Sequence, residues 1–186
     1  MAHSNAFSRL GHRYMQALLV VLSVIAAYSF TVFFLARLFI PFMGFRKYMP
    51  PMRLPSDMWT TIHEMEGTSR DSAEYLARAY DFVTHRWHSE RLKTITRLPL
   101  LFRTDMRQIW NSPGYAHCTT VNFVLYTLLA RSRYFTQDDI RVRHTFFNGV
   151  LHQYLQVRIG RNAWIDAHPS TSYLNLPLGE RARLFG

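Results

Sequence analysis

Hydrophobic and polar positions along this chain change period three times, and each change predicts a different kind of element. From Tyr14 to Ala36 there is no charged residue, and Leu, Val, Ile, Ala and Phe dominate. At about 1.5 Å per residue a helix of this length reaches roughly 34 Å, enough for a hydrocarbon core of about 30 Å. A signal-peptide apolar core is shorter, and a buried soluble helix would show a polar face, so the pattern predicts one transmembrane helix over 14–40. A polar tail, 1–13, precedes it. Pro41, Pro50, Pro51 and Pro55 then rule out a continuing helix, and 41–68 reads as a stiff juxtamembrane linker ending in a short helix near 57–66.

Beyond 69 the period is first helical and then two. Asp71, with Glu74 three residues on, makes a capping-box-like start for a helix whose apolar side is Ala73, Leu76, Ala77, Tyr80, Val83 and Trp87. Asn111-Ser112-Pro113-Gly114 breaks the chain before a second helix with an apolar stripe at Val121, Val124, Leu125, Leu128 and Leu129. Strands follow. Ile140, Val142, His144 and Phe146 alternate with Arg141, Arg143, Thr145 and Phe147, Asn148-Gly149 signals a hairpin, and Leu155, Val157 and Ile159 alternate with His152, Tyr154, Gln156 and Arg158. Gly160-Arg161-Asn162 turns the chain into Ala163–Asp166, and an irregular wrap is expected after Pro169. Helices followed by strands make the class α+β, with one small domain over 69–186.

Charge changes this picture only at the N-terminal end. The formal net charge is +10, yet no acidic residue precedes Asp57, so Arg9, Arg13, Arg37, Arg46, Lys47 and Arg53 place +6 in the first third. Basic residues flanking an apolar run fit a lipid surface, and their excess after the span favours a cytoplasmic side for the C-terminal domain. No nucleic-acid recognition motif accompanies the charge. One cysteine excludes an internal disulfide and a cysteine-based metal framework. Asp81, His85 and His88 fall near one another on a helix flank and could ligate a metal, but a solvated face is the commoner origin of such a group.

That cysteine, Cys118, lies three residues before Val121, on the buried face in the first turn of its helix. There the unpaired N–H groups and the helix dipole favour thiolate. His152 and Asp166 follow on successive strands. A cysteine at a helix start, then a histidine, then an acid on successive strands resembles the transglutaminase-like (papain-like) thiol enzymes over Ser69–Pro169. The resemblance implies Cys118 as nucleophile, His152 as base and Asp166 as the group orienting it. The implied fold is a Cys-bearing helix packed on an antiparallel sheet, and the implied substrate is a peptide or protein amide, with neither cofactor nor metal. Tyr154 stands where the family often has Trp, and Ala167-His168-Pro169 follows the acid where the family commonly has Pro at once.

Each member also has a plainer reading, as a small buried residue, a satisfied core histidine and a turn cap. His144 and His168 are rival bases, and Gln108 and Trp110 are candidate oxyanion donors. The expected activity is a membrane-anchored cysteine peptidase or deamidase, or a transglutaminase. The alternative is a membrane-tethered interaction domain that keeps the fold without turnover. Parity sets one condition. A three-residue loop at 159–161 puts Tyr154 opposite Asp166 and His152 diagonal to the acid, whereas a two-residue turn sends the two side chains to opposite faces.

Overall fold

In a computed structural model, residues 3–44, 48–147, 150–160, 163–170 and 177–180 are described. The chain divides into two compact units, Met1–Phe39 and Ile40–Gly186. The proposed Asn148-Gly149 turn and most of the tail after Pro169 lie outside the described residues.

The first unit is helical: α1 (His3–Phe30), a π-helical turn (Thr31–Leu35) and the short α2 (Ala36–Phe39). Thr31 Oγ1 donates to the Ala27 carbonyl at 2.9 Å, a side-chain bond into the helix just where the α-helical pattern gives way. Among the described residues no helix is long and apolar enough to cross a membrane. This corrects the single transmembrane span over 14–40 and the single-pass, cytoplasm-facing placement that depended on it. Sequence composition hid an interruption. The apolar run is regular α-helix from Tyr14 to Phe30, then takes a π turn over Thr31–Leu35, and its α-helical stretch carries the polar Gln16, Ser23 and Ser29. Leu18, Leu19, Leu22 and Ile25 are nonetheless exposed on it.

In the second unit the proline-rich stretch is packed rather than extended. Tyr48 is buried, its carbonyl accepts from Tyr126 Oη at 2.7 Å, and the Pro51 carbonyl accepts from Arg131 at 2.6 Å. The helices are α3 (Ser56–Thr68), α4 (Ser72–Arg86), α5 (Arg91–Thr96), α6 (Met106–Trp110) and α7 (Cys118–Ala130). Asp71 caps α4 by accepting from the Glu74 N–H at 2.9 Å, as the sequence predicts. Two short strands, β1 (Trp87–His88) and β2 (Gly114–Tyr115), pair in parallel. A separate antiparallel sheet runs β3 (Ile140–Phe147), β4 (Val150–Ile159), β5 (Ala163–Ala167), with β4 in the centre. The unit is mixed α+β with a small antiparallel sheet.

The core is built around α7. Its sequence suggested one apolar stripe, but every residue from Thr119 to Leu129 is buried. The few polar side chains are accommodated by local bonds: Thr127 Oγ1 donates to the Phe123 carbonyl and Asn122 Nδ2 to the Gln153 carbonyl on β4. A helix buried on all sides needs cover on all sides. Tyr75 of α4 reaches the Leu128 carbonyl at 3.0 Å, Leu155 and Val157 of β4 supply fully buried side chains, and the Phe42 ring stacks on Phe123 at 3.8 Å.

Candidate active site

The approach to Cys118 is pinned before the helix begins. Gly114 adopts φ +103°, a conformation open to glycine, and turns the chain into β2 beside β1. The Ala116 N–H then donates to the His88 carbonyl at 3.0 Å, and Ser89 Oγ to the Ala116 carbonyl at 2.6 Å. β1 and the residue after it thereby fix where α7 starts. His117 is the N-cap by position but gives no side-chain cap; its buried ring lies 3.1 Å from the Arg97 carbonyl and 3.3 Å from Tyr115 Oη.

Cys118 is the first residue of α7, as the sequence predicts, and its sulfur is turned inward. The backbone N–H groups of Gln153 and Thr119, with its own, lie close enough to the sulfur to favour the thiolate. Its ionisation runs against the sequence expectation. Burial pushes the thiol up from its ordinary value, and the three N–H groups only offset this. A helix N-terminus favours thiolate, but removal of the sulfur from water outweighs it here.

β4 carries His152. Strand alternation holds: Gln153, Leu155 and Val157 face the core, and His152, Tyr154, Gln156 and Arg158 take the other face. Gln153 itself is tied on the core side, accepting from Tyr48 Oη at 2.8 Å and donating to the Phe42 carbonyl at 2.6 Å. The Cys118 sulfur, at the start of α7, thus lies against the β4 backbone at Gln153, the residue next to His152.

The β4–β5 register is Ile159 with Ala163 and Gln156 with Asp166. The loop is three residues long, so parity puts His152 and Asp166 on one face. It sits at 160–162, however, one residue later than the loop at 159–161 on which the sequence argument placed its pairs. Gly160, with φ +60°, lies in the left-handed region and starts the turn. That displacement slides Asp166 to a position opposite Gln156, whose amide donates to it at 2.7 Å. His152 lies four residues further along β4, about 13 Å away at the backbone.

The place diagonal to His152 belongs to His168. His152 Nε2 and His168 Nδ1 are 3.2 Å apart, and their rings lie nearly parallel. Tyr154 stacks on the second face of this arrangement, its ring 4.4 Å from that of His168, and Tyr80 Oη donates to the His168 carbonyl at 3.2 Å. Both histidines are buried. Burial, and then the neighbouring histidine rings, push His152 down to about 3; burial pushes His168 down to about 4, with Asp166 acting in the opposite sense.

The remaining candidates fall elsewhere. Trp110 is a core side chain whose indole N–H donates to Asp57 at 2.6 Å, and Gln108 is exposed. His144 faces the core beside Gln153, with 3.3 Å between their nitrogens. His85 turns to Asp81 of its own helix. No protein-family model, curated protein or solved structure matches the chain.

Proposed function

We propose that this chain is a transglutaminase-like thiol enzyme acting on amide bonds, with Cys118 as nucleophile and His152 as its base. One observation carries the reading: the sulfur at the first residue of the buried helix rests on the β4 amide of Gln153, the residue next to His152. Cys118 and the β4 backbone, distant in sequence, meet there.

The electrostatics select the form of the chemistry. With the thiol pushed up and the imidazole pushed down, the resting pair is neutral rather than a thiolate–imidazolium pair. The proton then moves during attack. The sulfur turns from the Gln153 amide toward the imidazole, the S–H proton passes to His152, and the S–C bond forms as the carbonyl electron pair moves onto oxygen. The N–H groups now spent on sulfur, those of Cys118 and Thr119, are placed to receive that oxyanion. Collapse expels the amine with the proton from His152 and leaves a thioester on Cys118. Water completes hydrolysis, and a second amine completes a transfer.

An amide-analogue electrophile, incubated with the full chain at pH 7 and read by mass spectrometry, tests the reading. A single adduct on Cys118 is expected, lost in Cys118→Ser and reduced at least tenfold in His152→Ala. Equal labelling of wild type and His152→Ala would sink it, because the thiol would then be reacting without a base.

A further inference from the structure

We propose that His168, and not Asp166, is the residue that positions the imidazole of His152, with Asp166 standing behind His168. The proposal rests on the reading of Cys118 and His152 as nucleophile and base, and it changes what holds that base in place.

Three observations carry it. The register puts Asp166 opposite Gln156, about 13 Å along the strand from the level of His152, beyond the reach of an imidazole and a carboxylate side chain. Its carboxylate is engaged there by Gln156, whose own side-chain oxygen accepts from Arg143 at 2.9 Å. His168, two residues on, reaches His152 Nε2 at 3.2 Å and is itself gripped by the Tyr154 ring and, through its carbonyl, by Tyr80. A positioning group must itself be held, and the Tyr154 ring holds the His168 imidazole while the Tyr80 bond holds its backbone.

The protonation states follow from the roles. For His152 to accept the thiol proton at Nδ1, that nitrogen must be unprotonated at rest, so Nε2 carries the hydrogen and donates to His168 Nδ1. His168 in turn carries its hydrogen on Nε2. When His152 takes the proton it becomes the imidazolium, and the same Nε2–H···Nδ1 bond becomes charge-assisted and stronger. No proton passes to His168. The bond selects the tautomer at rest and favours the charged base in the transition state, two tasks that a neutral acceptor performs with less ion pairing than a carboxylate. This fits a site in which the resting base is uncharged. Asp166 adds a negative charge behind His168, and its effect on His152 is transmitted through that ring.

The test uses the full chain labelled with ¹⁵N-histidine, as wild type, His168→Asn, His168→Leu and Asp166→Asn. Ring-nitrogen spectra report the His152 tautomer, and the rate of Cys118 modification by the amide-analogue electrophile reports the base. In the wild type, His152 is expected as the Nε2–H tautomer with a coupling across the hydrogen bond to His168 Nδ1. His168→Leu should lose that tautomer preference and slow Cys118 modification about 10–100-fold. His168→Asn, which keeps an acceptor oxygen, should recover most of both and also controls for folding. Asp166→Asn should leave the tautomer in place and change the rate less than about fivefold. The proposal is overturned if Asp166→Asn costs as much as His168→Leu, or if His168→Leu leaves the tautomer unchanged. A wild type whose labelling does not depend on His152 would instead remove the proposed activity, and the nitrogen spectra would still decide which residue holds the ring.

Discussion

Lowering the pH from 8 to 5 should destabilise the folded chain by an amount that can be worked from His152 and His168. Each is buried and neutral in the native state, with its titration pushed down to about 3 and about 4, against an ordinary histidine value of about 6.5 in the unfolded chain. Between these limits the unfolded state binds more protons, so stability rises with pH. The contribution is fully present above about 6.5 and is lost as the pH falls toward the native values. At pH 5 both rings are still neutral when folded and almost fully protonated when unfolded, which costs about 2 kcal/mol each and roughly 4 kcal/mol together. For a chain of this size that is a fall of roughly 8–16 °C in Tm. Buried His117, also pushed down by burial, adds in the same direction. Glu74, Glu90 and Asp139 are held below their ordinary values, so their titration interferes little above pH 5. Urea unfolding followed by tryptophan fluorescence is suited to the measurement, since Trp87 and Trp110 are buried. The difference between pH 8 and pH 5 should shrink by more than half in a His152→Asn/His168→Asn double variant. A wild-type difference below about 1 kcal/mol, or one that the double variant leaves intact, would refute the buried neutral pair.

Two further outcomes bear on the frame that holds the site. Leu125→Ala, in the middle of α7 and fully buried, should cost about 2–5 kcal/mol in urea unfolding with the slope unchanged, since it opens a cavity where helices and sheet meet. Asp71→Ala should cost only about 1 kcal/mol by the same measurement, because it removes one cap bond at the start of α4 and leaves the packing untouched.

Much of the second unit was legible because its signals are local. A capping pair needs only residues three apart, and Asp71 with Glu74 starts α4 accordingly. Alternation needs only the two-residue period, and it correctly sorted His152, Tyr154 and Gln156 from Leu155 and Val157. Cys118 at a helix start followed from a breaker before it and a stripe after it.

Only the tertiary structure decided the features that depend on where two distant segments meet. Sequence period fixes which face a strand residue takes, but the partner opposite it depends on where the turn falls. A shift of the loop by one residue, to 160–162, moves the facing partner by two, and this puts His168 rather than Asp166 beside His152. The sign of the Cys118 shift was likewise decided by three-dimensional burial, which outweighs the helix end that the sequence could see. The apolar N-terminal run shows the same limit from the other side. Composition counts residues, whereas the regularity of a helix depends on backbone bonding, which changes to a π turn at Thr31–Leu35. Local periodicity is a one-dimensional property and survives being read from sequence; register, burial and helix continuity are set by the packing that folding creates.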